Sequence, residues 1–548
     1  MPRRILLGDE SVALGAIHGG LSAAYAYPGT PSTEILEFIL DHHERYGAPY
    51  ASWCANEKTA YEEALGVSFA GRRALVCMKH VGLNVAADPF VNSALVSVHG
   101  GLVVAVADDP GMHSSQNEQD TRQLAEFARV LCLEPANQQE AYDMTREAFE
   151  LSERLHVPVV LRLVTRLAHS RTTVEVGTVL AERPIRRAPV KNSWILLPGN
   201  ARRQWKELLE RQPVFAQLAD TAGWNRLSMR DTDLGVITTG IARNYYRECA
   251  HELPEAPSHL HIGLYPIPVG RVRRLAERSR RILVLEDGYP FVEARVRGLL
   301  PSGAEVVGRM TGDVPAAGEL TPDVVRDALK LPARPTHAIA GIALPARPPQ
   351  LCEGCPHVFA FRALKKALDA FESPLVTSDI GCYTLGALPP YSAIESCVCM
   401  GASIGMAKGS AEAGVWPVVA VIGDSTFLHS GITPLLDAAA ANTDMTVVIL
   451  DNMTVAMTGM QDTIVPSERL DDVVRGVLGE RGHLRIIDPH PRRVDRNADV
   501  LRSEIEHHGL SVVVARRACK QVAARMAARS PARAGAPEDG PTIAGAAP

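Results

Sequence analysis

The sequence predicts an α/β protein made of three doubly wound, mainly parallel-sheet domains. Three observations lead there. Short apolar runs of strand length alternate with helical stretches, and the alternation recurs in three separate parts of the chain. At 548 residues the chain is also too long for a single hydrophobic core.

The first domain is expected over residues 1–175, where ALVCM, GLVVAVA and VPVVLRLV read as strands and EKTAYEEALGVSFA as a helix between them. Residues 176–232 are polar and irregular and read as a connector. A second α/β unit, 233–330, carries strands at LGVITTG, HLHIGL and RRILVLED. The Pro- and Ala-rich segment LPARPTHAIAGIALPARPPQ, 331–350, has no clear period and reads as a linker. A third α/β domain is expected over 351–520. The low-complexity tail 521–548 is expected to be disordered.

Composition narrows the function classes. Hydrophobic residues at 46% and charged residues at 22% describe an ordinary globular chain. A net charge of -5 argues against a nucleic-acid binder, which would present a basic face. The apolar run at the N-terminus stops at Gly8-Asp9-Glu10, short of a signal-peptide core, and no apolar run approaches the roughly 20 residues of a membrane span. A cytoplasmic location is expected. There, ten cysteines are ligands, nucleophiles or packing rather than disulfides.

The stretch WPVVAVIGD is a strand that ends at Gly423 with Asp424 at its carboxyl edge, and Ser425-Thr426 fall where a helix begins. Helix-start amides there can cradle a phosphate. The next strand, MTVVILDN, brings Asn452 to the same edge, so an acid and an amide can converge on one hard cation, as Mg²⁺ bound to a diphosphate requires. A capped βα turn and a plain strand end are the alternatives. The pair resembles the thiamine diphosphate motif, Gly-Asp-x followed about 30 residues later by Asn. Thiamine enzymes also need a carboxylate on the cofactor's pyrimidine ring. Glu57 at the start of a helix is the candidate, with Glu62 and Glu63 as ordinary surface carboxylates on the same helix.

Read in order, AYPGTPSTEI, NEKTAYEEALG, CMKHVGLNVAADP, HSSQNEQDTR, LCEGCPH, SDIGCYTLG, CMGASIGMAKG and GDSTF resemble the alpha subunits of indolepyruvate:ferredoxin oxidoreductases over roughly residues 5 to 520. The resemblance implies thiamine diphosphate-binding, transketolase-like domains, the unit at 233–330 corresponding to the transketolase C-terminal domain. It also implies oxidative decarboxylation of aryl pyruvates to aryl-acetyl-CoA, coenzyme A being the co-substrate. Electrons would leave through iron–sulfur clusters to ferredoxin or another carrier. It assigns Glu57 to pyrimidine activation, and Asp424, Asn452 and the Thr454 carbonyl to Mg²⁺. Gly401, Gly423, Ser425, Thr426 and Thr458 complete the cofactor-binding set, and Thr30 and Arg122 meet substrate. A smaller beta subunit is the expected partner, in a hetero-oligomer built on a dimer, with neither nucleic acid nor membrane involved.

The sequence departs from the family after residue 517. Family members carry a ferredoxin-like module with two C-x₂-C-x₂-C-x₃-C-P runs, whereas no cysteine follows Cys519 here, so those two clusters are not expected in this polypeptide. Cys352, Cys355, Cys382 and Cys519 are spaced like the single-cluster ligands of related thiamine-binding subunits and can hold one [4Fe–4S] cluster. Zinc, or no metal, are the alternatives, and Cys397 and Cys399 are alternative fourth ligands. Cys54, Cys77, Cys132 and Cys249 read as core packing.

Other residues keep two readings. His80 is a candidate for proton transfer and His113 a weaker one; either can instead fix a loop by hydrogen bonds. Met400 packs beneath the cofactor or in the core. Arg122 either pairs with a substrate carboxylate or forms an exposed salt bridge. Competing functions are a non-oxidative thiamine decarboxylase that releases an aldehyde, a carboligase, and a non-catalytic scaffold.

Overall fold

The computed structural model describes residues 2–186, 192–300, 303–335, 348–479 and 482–522. The expected tail lies outside the described residues from 523 onward, as does most of the expected linker, 336–347. The chain forms two compact units, Met1–Leu344 and Pro345–Pro548. Three mainly parallel sheets carry the fold, two in the first unit and one in the second. Among the described residues no helix is long and apolar enough to cross a membrane.

The seven-stranded sheet of the first unit runs in the order Leu264–Tyr265, Cys132–Leu133, Val159–Val164, Leu102–Asp108, Ala74–Lys79, Ala23–Ala26, Tyr50–Trp53. Six strands are parallel and Leu264–Tyr265 is antiparallel to its neighbour. Every residue of Leu102–Asp108 and Ala74–Lys79 is buried. That is why these strands are unbroken apolar runs: helices cover a parallel sheet on both faces.

The five-stranded sheet of the same unit runs Glu305–Val307, Arg281–Leu285, Leu234–Thr239, Ser258–Ile262, Arg226–Ser228, with only the last strand antiparallel. Directly after Ser258–Ile262 the chain crosses to Leu264–Tyr265 in the other sheet, and one apolar core holds side chains from both. A separate two-stranded sheet pairs Arg3–Leu6 with Thr172–Glu175.

The segment expected to be an irregular connector contains a 24-residue helix, Pro198–Thr221, and the strand Arg226–Ser228. The helix buries Gln204, Leu208, Phe215 and Ala219 at intervals of four, seven and four, one stripe of an amphipathic helix. Dense charge between those positions and Pro213 within the helix mask the period in the sequence.

The second unit holds a five-stranded sheet, parallel throughout, in the order Leu375–Ser378, Val418–Gly423, Met445–Asp451, Leu510–Arg516, His483–Ile487. Val419, Val421, Val448 and Leu450 pack into one core, and Ala420, Ile422, Val447 and Ile449 into another. The two-residue alternation thus feeds both faces, as a doubly wound sheet requires.

Candidate active site

Four neighbouring strands of the second unit end at one edge, and each delivers a candidate residue. Leu375–Ser378 leads to Cys382, Val418–Gly423 to Asp424, Met445–Asp451 to Asn452 and Leu510–Arg516 to Cys519. Ligands of open α/β sheets bind at this edge.

Asp424 opens a helical segment that continues, through a wider turn at Phe427–Gly431, to Ala441. Its Oδ1 accepts the Ser425 amide at 2.8 Å and its Oδ2 the Met453 amide at 2.9 Å, which fastens the two strand ends together. Between Asn452 and Thr454 the chain turns through Met453 at φ 64°, and the Thr454 amide donates to Asn452 Oδ1 at 3.2 Å. Asp424, Asn452 and Thr454 are all buried. Burial first, and then the neighbouring Asp451, push the Asp424 carboxyl up to about 8. A buried acid beside a second acid calls for a compensating cation. The oxygen donors of Asp424, Asn452 and the Thr454 carbonyl have the hard character Mg²⁺ selects, so the residues fit that ion.

The supporting residues are close-packed. Any Cβ on Gly423 would lie 2.6 Å from the Tyr383 ring. Gly401, at φ 83°, starts the helix Ala402–Glu412 against Ser430, where a Cβ would meet the Ser430 Cβ at 2.5 Å. Thr426 Oγ1 donates to the Ile380 carbonyl at 3.0 Å, and Thr458 Oγ1 to Gln461 Oε1 at 2.7 Å.

The four cysteines converge on the same edge. The Cys519 amide donates to the Asn452 carbonyl at 3.0 Å, and Lys520 Nζ donates to the Glu353 carbonyl at 3.0 Å, which ties the last strand's exit to the Cys352–Cys355 turn. The Cys355 amide closes that turn on the Cys352 carbonyl at 3.0 Å. Burial, then Cys355, Cys519, Cys352 and Asp424, push the Cys382 thiol up to about 12. Thiols that raise one another in this way are neighbours that a cationic centre would relieve. Among the described residues no three of these sulfurs lie within 4.8 Å of one another. Tetrahedral zinc would hold them roughly 3.8 Å apart, whereas a cubane cluster spreads its thiolates wider. Cys397 and Cys399 are exposed, and the neighbours acting on Cys397 are Thr384, Asp379 and Cys399. Cys54, Cys77, Cys132 and Cys249 are buried.

In the first unit three neighbouring strands of the seven-stranded sheet also end together: Ala74–Lys79 at His80, Ala23–Ala26 before Thr30, and Tyr50–Trp53 before Glu57. Asn56 caps the Glu57 helix by accepting the Thr59 amide at 2.8 Å. Glu57 is buried, whereas Glu62 and Glu63 are exposed. Gly82 packs directly on Glu57: a Cβ there would lie 2.7 Å from the Glu57 Cγ and Oε1. His80, buried two residues before Gly82, donates from Nε2 to the Asn117 carbonyl at 3.2 Å, and its Nδ1 has no hydrogen-bond partner. Beside it opens a cleft of about 210 Å³ lined by His80, Asn84, Thr121, Gln123 and Tyr289.

Arg122 is not an exposed salt bridge. Its side chain is fully buried, held by Asp120, by Glu286 Oε2 at 2.9 Å and by the Tyr289 and Asp287 carbonyls at 3.1 and 3.2 Å. Burial opposes the charge, yet Asp120, Tyr265, Glu134 and Glu286 keep the guanidinium firmly ionised. His113 is half-exposed and pairs with Glu319 at 3.1 Å. Met400 is partly buried in the turn before the Gly401 helix.

Sequence reasoning missed Asp379. It is buried, accepts hydrogen bonds from the Tyr383 hydroxyl and from Ser403 Oγ at 2.6 Å, and is pushed by burial up to about 6. It stiffens the loop that carries Cys382. A polar residue directly at a strand's carboxyl end, as in SDIGC, is the signal that marks it.

Two family models match the chain: pyruvate flavodoxin/ferredoxin oxidoreductase, thiamine diphosphate-binding, over residues 14–220, and the thiamine pyrophosphate enzyme C-terminal TPP-binding domain over 379–477. The indolepyruvate oxidoreductase subunit IorA of Archaeoglobus fulgidus is 37% identical, over 94% of this chain and 86% of that protein. Its counterpart from Methanothermobacter marburgensis is 38% identical, over 94% and 87%. A solved structure of 2-oxoglutarate:ferredoxin oxidoreductase from Magnetococcus marinus, with 2-oxoglutarate, coenzyme A and succinyl-CoA bound, is similar at a TM-score of 0.50 and 17% identity. That likeness covers 60% of this chain and 65% of that one, and concerns the fold alone.

Proposed function

The chain belongs to the family of indolepyruvate oxidoreductase alpha subunits, thiamine diphosphate-dependent 2-oxoacid oxidoreductases, and from that premise we propose that it oxidises aryl pyruvates to aryl-acetyl-CoA and passes the electrons to ferredoxin or a similar carrier. The observation that carries this reading is the hydrogen bond from the Cys519 amide to the Asn452 carbonyl, because it sets a cluster ligand beside a metal ligand.

Bound thiamine diphosphate supplies a carbon nucleophile and an electron sink, which lets a 2-oxoacid lose CO₂. The chain's own residues do the rest. Asp424, Asn452 and the Thr454 carbonyl hold Mg²⁺, and Gly401, Gly423, Ser425, Thr426 and Thr458 shape the diphosphate seat. The Glu57 carboxylate holds the proton shared with the pyrimidine ring, and Gly82 leaves it room. His80 moves a proton at Nδ1 while its Nε2 is fixed on Asn117. Thr30 meets the substrate, and Arg122, whose nitrogens are already engaged, positions the Asp120–Tyr289 wall of the cleft. Cys352, Cys355, Cys382 and Cys519 would hold one [4Fe–4S] cluster, which would supply a one-electron acceptor. The relatives are named as subunits, and a smaller beta subunit completes the enzyme in this reading.

Anaerobically purified protein should carry about four irons per chain. Asp424→Ala should lose thiamine diphosphate and keep the iron, and Cys355→Ala should do the reverse. With the beta subunit, indole-3-pyruvate and coenzyme A, the wild type should reduce ferredoxin and form the acyl-CoA. Iron-free protein that makes the same thioester with a redox acceptor refutes the cluster assignment. Release of an aldehyde in place of the thioester favours the non-oxidative decarboxylase.

A further inference from the structure

Apart from the residues above, three ligating groups meet in the first unit. Asp9 lies in the first turn of the helix Gly8–His18, Glu34 in the first turn of Thr33–Tyr46, and His169 ends the short helix Thr165–His169. One ligand atom from each lies within 4.8 Å of the other two. Gly8 makes the convergence possible. A Cβ there would fall 2.2 Å from the Leu167 carbonyl oxygen, so the two helix ends touch backbone to backbone.

Among the described residues a single cationic partner faces the two acids of this cluster: His169, which pairs with Glu34. Asp9 is completely buried, and apart from a proton it can share with Glu34 its carboxylate oxygens have no hydrogen-bond partner. Glu34 Oε2 is likewise buried and pairs with His169 Nε2 at 3.5 Å. An isolated buried carboxylate is strongly disfavoured and demands a proton or a cation. Burial, then Glu34, hold the Asp9 carboxyl well above the usual carboxylate range. A shared proton would need only the two acids. An imidazole nitrogen aimed at the same point supplies the mixed nitrogen and oxygen donor set of a transition metal, whereas Mg²⁺ and Ca²⁺ take oxygen alone. The Glu34 and His169 side chains are each 36% exposed, so an ion can enter from solvent and water can complete its shell.

We propose that Asp9, Glu34 and His169 bind one divalent transition-metal ion of the zinc class, a site separate from the thiamine and cluster residues. The ion neutralises the two carboxylates and clamps three helices, one of which begins three residues after Thr30.

Cobalt(II) tests this in the full chain loaded with its cluster, thiamine diphosphate and Mg²⁺. One further Co²⁺ per chain should bind, with weak visible d–d bands and without the intense thiolate charge-transfer absorption that cysteine ligands would give. His169→Ala and Asp9→Asn should both lose these bands. Zn²⁺ should raise the melting temperature of the wild type and of neither variant. His169 is partly exposed, so its variant reports even where Asp9→Asn fails to fold. Absence of the thiolate-free bands in the wild type overturns the site, as do bands undiminished in His169→Ala. A wild type that binds no cobalt while Asp9→Asn melts higher identifies a proton-sharing acid pair instead.

Discussion

Glu57 is useful as a buried acid only if its neighbours leave it one position, and Gly82 is the neighbour that does so. Gly82→Ala would place a methyl 2.7 Å from the Glu57 Cγ and Oε1 and push the carboxylate aside. Thiamine-dependent turnover should fall at least roughly tenfold, with a stability loss of about 1–3 kcal/mol from overpacking. Glu57→Gln keeps the volume and removes the basic oxygen. Its turnover should fall by about 10² or more while cofactor affinity, read by fluorescence titration, stays within a few-fold of wild type. Equal turnover in the wild type and Glu57→Gln moves the role elsewhere. That Glu57, rather than Glu62 or Glu63, is the buried acid of this helix follows from spacing alone. Glu57 shares the buried helix face with Ala60, Tyr61 and Ala64, at spacings of three, four and seven, and the other two acids do not. The setting of Arg122 was not legible, because Glu286 and Tyr289, which enclose it, lie more than 160 residues away in sequence.

Strand ends deliver most of the residues the proposed chemistry uses, Asp424, Asn452, Cys382, Cys519, His80, Thr30 and Glu57 among them, and the strands themselves were plain in the sequence because a covered parallel sheet leaves few polar positions along its length. The helix Pro198–Thr221 was not, since its four buried positions are diluted by charge along 24 residues. The strand Ser258–Ile262 makes a further prediction. Its His259 is held down to about 4 by burial, then by Arg243 and Arg247, and burial holds His261 well below the ordinary imidazole value too. For an imidazole, a folded pKa below the ordinary 6.5 means that the unfolded chain binds more protons. The stability these residues lend is therefore full above about pH 6.5 and is lost as pH falls toward 4. For His259 this amounts to up to about 3 kcal/mol by pH 4. Calorimetric melting temperatures of the wild type should fall more steeply over that window than those of His259→Leu. The variant gives up a 2.9 Å hydrogen bond to Thr238 Oγ1, whose hydroxyl keeps His261. Parallel slopes would mean that another group governs the acid transition.

At the scale of the first unit, a buried ionic network joins its two sheets. Arg162 reaches Asp108 at 2.6 Å, Glu134 at 2.5 Å and the Asp287 carbonyl at 2.9 Å, while the Tyr265 hydroxyl donates to the other oxygen of Glu134 at 2.6 Å. Arg122→Met would leave Glu286 without its cation and Asp120 with only the Arg162 cation, 3.7 Å away. Urea unfolding should report a loss of about 3–5 kcal/mol, and a loss below about 1 kcal/mol would show that the network relaxes around the gap. The three mainly parallel sheets were readable from the three blocks of alternating pattern, but the small antiparallel pair of Arg3–Leu6 with Thr172–Glu175 and the sharing of one core by two of the large sheets were not. That sharing depends on Leu264–Tyr265, a two-residue strand whose apolar side chains read as a continuation of HLHIGL rather than as a crossing to the neighbouring sheet. The crossing bears on how such a gene can be recombined. A crossover placed near residue 233 would pair one parent's seven-stranded sheet with another parent's edge strand, and would separate Arg122 from Glu286 and the Tyr289 carbonyl and both Arg122 and Arg162 from the Asp287 carbonyl. Chimaeras joined within residues 176–263 should therefore be recovered far less often than those joined after residue 335, where the first unit passes on as one heritable block.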